Sequence, residues 1–363
     1  MDYTTEVQTK LTRVRALMKE QGVGALWLRR IDNVAWITGG VDVAVNIADA
    51  TGVASVVITD TSAVMWTNTI EAPRLKAEDD VEGRGFELRV TPWEQAQAIE
   101  FGSTLGTDVP MGGAKDLSAA IQKVRAQLLP VEVERFRALG QMCAEAMNAA
   151  IARTKPGMTE WQISAALADE TRRRTVTPIV ALIATDERVH KVRHPLPIDR
   201  TMERYAMLVL CGRKQGLVCS VTRLVHYGAL PDDLRRRMQA CAEVDAKMIA
   251  ASKPGATLGE IFTITQNAYA QVGFDGEWKL HHQGGTAGYG AREVIATPGE
   301  KTALVAGMVC AWNPSISGVK CEDTILVTAS GQAEILTAIN GWPVVPVEVE
   351  GRVIERPVIL EIG

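Results

Sequence analysis

The chain has 363 residues, 47% of them hydrophobic, and its 39 Lys and Arg against 43 Asp and Glu leave a formal net charge of −4. That length is expected to hold about two domains, and the near balance of charge offers no basic surface for nucleic acid or anionic membrane. No apolar run approaches the roughly 18 residues of a membrane span, the opening MDYTTEVQTKLTR is amphipathic rather than signal-like, and the six cysteines lack metal-knuckle or CxxC spacing, so a cytoplasmic protein with reduced, structural thiols is expected.

Residues 4 to 21 place Val7, Leu11, Val14 and Leu17 on one helical face, and Gly22 suits a C-terminal cap. Apolar, β-rich runs follow at 24–28, 53–59 and 63–67, the last two joined by Asp60-Thr61-Ser62 as a hairpin connection. Between them DNVAWITGG (residues 32–40) reads as a strand and turn, with a ligand contact through its polar start as the alternative. These elements predict a small α/β domain over residues 1–127.

A longer domain, residues 128–363, opens with helical sequence over 128–152 and contains an internal echo. Thr154-Lys-Pro-Gly-Met-Thr159 and Ser252-Lys-Pro-Gly-Ala-Thr257 lie 98 residues apart, each followed by helix-like sequence. In both, Pro-Gly forms a turn and the threonine is an N-cap, so each copy marks helix, turn, helix. A duplicated unit of this kind predicts two halves about a pseudo-twofold axis with a site between them.

All five histidines (190, 194, 226, 281 and 282) fall in this second domain, which places the chemistry there. The stretch LHHQGGTAGYGARE (280–293) holds two of them with four glycines, a composition suited to close approach of a ligand. Three further segments accompany it: Arg193-His194-Pro195-Leu-Pro-Ile-Asp199-Arg200, a hairpin turning around residues 212–216, and two strands joined by Ser-Gly between Trp312-Asn313-Pro314 and Cys321-Glu322-Asp323-Thr324.

On these motifs the chain resembles the creatinase, prolidase and aminopeptidase P family, an α/β pita-bread catalytic fold behind a smaller N-terminal domain. DNVAWITG is similar to that family's Asn-Ile-x-Tyr-Leu-Thr-Gly strand. The order histidine, hairpin ending in Thr-Arg, Gly-rich histidine strand and Glu-Asp-Thr strand matches its catalytic half. The resemblance implies a homodimer, in which the N-terminal domain of one subunit helps close the site of the other.

Family peptidases hold two metal ions with two aspartates, a histidine and two glutamates. Carried over one by one, these positions fall on Cys211, Ser220, Gly285, Asn313 and Glu322, so four of the five are replaced. One carboxylate cannot hold a pair of hard-ligand ions, and the expectation is an enzyme without metal or other cofactor. Creatinase is the metal-free member, and the resemblance to it implies His194 as general acid–base, Glu322 as substrate-binding glutamate and Arg292 as the clamp for a substrate carboxylate. Its second substrate glutamate is Thr222 here, which counts against a guanidinium substrate.

Read from the residues alone, His194 can move a proton near neutral pH. His281 and His282 can contact substrate, with strand alternation pointing one of them into the site and leaving the other as a packed imidazole. Cys211 is either a nucleophile or a plain buried thiol, Asn313 and Thr222 line the pocket, and Trp278 and Trp312 are core or pocket wall. Three function classes remain. The first is a metal-independent hydrolase or lyase of a small polar, carboxylate-bearing substrate, the second a metal-dependent Xaa-Pro peptidase with atypical ligands, and the third a non-catalytic binding protein.

Overall fold

A computed structural model describes residues 2–97 and 104–363. The chain divides into two compact units, residues 1–131 with 215–217, and residues 132–214 with 218–363.

The first unit opens with α1 (Tyr3–Gln21), begun by the Asp2 carboxylate accepting from the Thr5 amide and ended at Gly22 in the left-handed conformation. There follow β1 (Ala25–Arg30), α2 (Ile31–Ile37), β2 (Thr51–Thr59), β3 (Ala63–Asn68), α3 (Ala72–Ala77), β4 (Glu87–Thr91), β5 (Leu105–Thr107), β6 (Ala114–Asp116) and α4 (Ser118–Ala126). The strands form one sheet in the order β4-β3-β2-β1-β5-β6, with the predicted β2–β3 hairpin in place.

The DNVAWITGG segment differs from expectation, because it is the helix α2 rather than a strand. The Asp32 carboxylate accepts from the Asn33 amide, and the Thr38 hydroxyl donates back to the Val34 carbonyl at the other end. Trp36 and Ile37 are fully buried, so burial of this short amphipathic turn outweighs the β-propensity of its residues.

The second unit begins in α5 (Pro130–Arg153) and continues through α6 (Glu160–Arg173), β7 (Thr177–Thr185), α7 (Glu187–Lys191), β8 (Tyr205–Lys214), β9 (Leu217–Tyr227), α8 (Asp232–Ala251) and α9 (Leu258–Gln271). A 3-10 turn (Glu277–Leu280) leads into β10 (Gly284–Ala287), β11 (Val294–Ile295), β12 (Val309–Trp312), β13 (Ser315–Ile316), β14 (Val319–Lys320), β15 (Asp323–Leu326), β16 (Glu334–Ile335), β17 (Val344–Val349), β18 (Arg352–Pro357) and β19 (Leu360–Ile362). One sheet runs β19-β9-β8-β7 and another β11-β10-β12-β15-β16. The β8–β9 hairpin turns at Gln215-Gly216, both with positive φ, so its strands extend through Gly212 rather than ending there.

The internal echo is structural. Thr159 and Thr257 each cap their helix in a reciprocal box with Gln162 and Glu260. The preceding Gly157 and Gly255 have φ of 91° and 93°, a conformation that costs any side-chain-bearing residue and therefore fixes glycine at both. Their amides donate to the Met202 and Leu304 carbonyls, and isolated bridges Thr159 to Thr201 and Thr257 to Ala303 repeat the same tie. A third bridge, Thr222 to Glu322, joins the two sheets. Among the described residues no helix is long and apolar enough to cross a membrane.

Candidate active site

The sheet-joining bridge brings the remnant ligand positions together. Cys211 lies on β8, Ser220 and Thr222 on β9, Asn313 follows β12, and Glu322 precedes β15. Thr324 locks the register, its hydroxyl accepting from the Ser220 amide and donating to the Ser220 carbonyl. Among these positions lies the guanidinium of Arg292. It donates to Ser220 Oγ at 3.2 Å, Asn313 Oδ1 at 2.7 Å and Glu322 Oε1 at 2.9 Å. Lys320 Nζ stands 2.7 Å from Glu322 Oε2, which also accepts from the Thr222 hydroxyl at 2.5 Å. Burial pushes the Glu322 carboxyl up, but Lys320 and Arg292 more than reverse this and hold it at about 2, so it is ionised at neutral pH.

This arrangement answers whether the residues fit the two metal ions that the fold family implies. They do not. A guanidinium already bonds three of the five positions, and a single carboxylate is shared between two fixed cations. At Gly285, where the family's ligand histidine would fall, a Cβ would stand 1.9 Å from the Val294 carbonyl oxygen, so a side chain there would require the backbone to shift.

The same bonds revise two expected roles. Both ends of the Arg292 fork are spent on protein acceptors instead of lying open for a substrate carboxylate. Both Glu322 oxygens are likewise occupied. Cys211 is 3.3 Å from Ser220 Oγ, and burial, then the charge of Glu322, pushes its thiol up; it is protonated at neutral pH and is no ready nucleophile.

Beside this ionic cluster three histidines meet. His194 sits in the segment after α7, which is anchored to β7 by the Ile183 amide donating to the Pro195 carbonyl. His194 Nε2 and His281 Nε2 are 3.0 Å apart, and the His282 ring centroid lies 4.9 Å from that of His281 and 5.7 Å from that of His194. Both His281 and His282 therefore reach the site, contrary to the expected alternation. They precede β10, which starts at Gly284, so the period-two rule of a strand does not govern them. His226 lies elsewhere, against Tyr205, and so does His190, next to Gly318.

One set of tautomers satisfies these contacts together. Arg292 has no acceptor atoms, so the Asn313 atom facing it is the oxygen, and the Asn313 amide nitrogen points to the His282 carbonyl at 2.7 Å and to His281 Nε2 at 3.4 Å. His281 Nε2 is then the unprotonated nitrogen, and its Nδ1–H donates to Ser315 Oγ at 3.1 Å. The His194 Nε2–H donates to His281, which leaves His194 Nδ1 with a lone pair for a proton. Burial, then Lys320, lowers the His194 pKa. Burial and Lys320 bring His281 to about 2, and burial and Arg292 bring His282 to about 4. The three imidazoles are neutral at pH 7, and His194 is the exposed one.

Lys320 and Ser315 escaped the sequence reading. Lys320 and Glu322 stand two apart in an extended segment, which puts them on one face, and that spacing is the signal for Lys320. Nothing local marks Ser315. Trp312 is core, its Nε1 bonded to Ser252, and Trp278 packs edge-on against Phe262.

Comparison with known proteins agrees with this fold. The sequence model of metallopeptidase family M24 matches residues 134–329, and that of the creatinase/prolidase N-terminal domain matches residues 10–138. The chain is 23% identical over 349 residues to a Xaa-Pro dipeptidase of Pyrococcus horikoshii, covering 90% of this chain and 96% of that protein. It is 25% identical over 312 residues to an agropine synthesis cyclase of Rhizobium rhizogenes, covering 76% of each. The crystal structure of the prolidase from Pyrococcus horikoshii superposes with a TM-score of 0.77 at 21% identity, over 92% of this chain and 99% of that one.

Proposed function

The chain belongs to metallopeptidase family M24, and we propose that within it the protein is a hydrolase or lyase that works without metal ions, acting on the C–N or a similar bond of a small, polar, carboxylate-bearing substrate. The observation that carries this reading is the Arg292 guanidinium bonded to Ser220, Asn313 and Glu322, with Lys320 on the far side of the same carboxylate. Two cations and one anion leave a net single positive charge in a buried setting. Such preorganised charge stabilises negative charge developing on a substrate oxygen and attracts a carboxylate. Because Glu322 is saturated by Arg292, Lys320 and Thr222, a guanidinium substrate finds no free carboxylate.

In this reading His194 Nδ1 takes a proton from the attacking water and returns it to the departing nitrogen. His281 holds the His194 ring through the Nε2 pair and is itself held by Ser315. A positioned acid–base of this kind is worth about 10² to 10⁴ in rate. The cyclase among the relatives is in keeping with chemistry other than peptide cleavage on this chain. A metal-dependent Xaa-Pro peptidase is the second reading, favoured by the Xaa-Pro dipeptidase that covers nearly the whole chain. A screen of small amides, amino-acid derivatives, guanidino acids and proline dipeptides, each with and without chelator, separates the two. Turnover of a carboxylate-bearing amide that survives chelation supports the first, and chelator-sensitive cleavage of proline dipeptides replaces it with the second.

A further inference from the structure

His194, His281 and His282 each offer a ring nitrogen, and these three atoms all lie within 4.8 Å of one another. None of the three is at a position where the family's metal ligands fall. His282 Nδ1 is buried with no hydrogen-bond partner, an orphan that costs free energy as it stands. His281 is oriented from behind by Ser315, the kind of outer partner that fixes a metal-ligating imidazole. We infer that these three histidines form a site for one divalent ion of the zinc class, and that the ion, when bound, silences the proton transfer proposed for His194.

The donor chemistry selects the ion. Three imidazoles suit Zn, Co, Ni or Cu over Mg or Ca, and a three-histidine set with one open position is a known zinc arrangement. Metal–nitrogen bonds of about 2.0–2.1 Å place tetrahedral nitrogens about 3.3 Å apart, close to the 3.0 Å between His194 and His281. The rings are neutral and need lose no proton to bind. Arg292 and Lys320 oppose a second positive centre, while Glu322, paired to both, offsets one of their charges.

Inhibition follows from the tautomers. An ion taking His194 Nε2 requires that nitrogen to give up its proton to Nδ1, and Nδ1 is the lone pair on which the proposed reaction relies. This part rests on the metal-free reading of the site, whereas binding itself does not.

The test uses the full chain, stripped with chelator and titrated with zinc against a chromophoric competitor, then with cobalt under a visible spectrum. The expected result is one zinc per chain at micromolar concentration, and a cobalt spectrum of a four-coordinate nitrogen site without a thiolate charge-transfer band. His282→Gln should weaken binding by more than the roughly 10- to 100-fold typical of an outer partner, Ser315→Ala by about 10-fold, and Cys211→Ser should leave it unchanged. No binding, binding indifferent to both His282→Gln and Ser315→Ala, or a thiolate band overturns the site. On a substrate that the stripped protein turns over, added zinc should lower the rate. Turnover that instead requires zinc overturns the inhibitory role and the metal-free reading, while the binding result stands.

Discussion

Replacing Glu322 by Gln removes one charge from the centre of the ionic cluster and keeps its shape. The Glu322 pKa of about 2 lies below its ordinary 4.5, so the folded state holds the carboxylate more tightly than the unfolded chain does. That stability is fully present above pH 4.5 and is lost as the pH falls toward 2. At about 1.4 kcal/mol per pH unit the interval corresponds to about 3 kcal/mol at neutral pH. Glu322→Gln also leaves Arg292 and Lys320, whose side chains are 12% and 5% exposed, without their counter-ion. The loss should therefore reach about 3–5 kcal/mol. Urea unfolding at pH 7, followed by tryptophan fluorescence, reads this as a lower midpoint. Adding Lys320→Met should recover part of the loss, with a coupling of about 1–3 kcal/mol. In the wild type the stability advantage over Glu322→Gln should shrink between pH 4.5 and 2. A Glu322→Gln protein within about 1 kcal/mol of wild type at pH 7 would refute the idea that this carboxylate neutralises two fixed cations.

Other expectations follow from the same geometry. His194→Ala should cut turnover on an identified substrate by at least about 100-fold, yet shift the urea midpoint by no more than the roughly 1 kcal/mol of one partly exposed hydrogen bond. Near wild-type turnover would move the catalytic centre elsewhere. His281 and His282, held neutral far below the ordinary 6.5, should make the fold acid-sensitive: below pH 6.5 the unfolded chain gains protons that these folded rings refuse. His282→Gln should therefore flatten the fall in stability between pH 6.5 and 4, by at most about 1.4 kcal/mol per pH unit because the ring is partly exposed. Thr159→Ala and Thr257→Ala should each cost about 1 kcal/mol and add, because they cap separate helices in the two copies.

The duplicated architecture was legible because its markers are local. Pro-Gly-x-Thr names a turn and a cap whatever the tertiary context, and the structure repeats both, down to the left-handed glycines 157 and 255. The DNVAWITG helix was not legible, since no side chain caps its start and its existence depends on burying Trp36 and Ile37. The site was half legible. Which residues stand at the expected ligand positions can be read from single positions, whereas what bonds them is a matter of distance: Arg292 reaches across to Ser220, 72 residues away in sequence. The expected alternation at His281 and His282 failed because both precede the strand whose period was applied to them.

The claim that this family member works without a metal pair is tested most directly by elemental analysis of the purified protein, paired with turnover measured before and after chelation on the same preparation. No stoichiometric pair of transition metals is expected at the Glu322 site, and chelator should not lower the rate. About two metal ions per chain, with activity abolished by chelator and restored by manganese, cobalt or zinc, would contradict it.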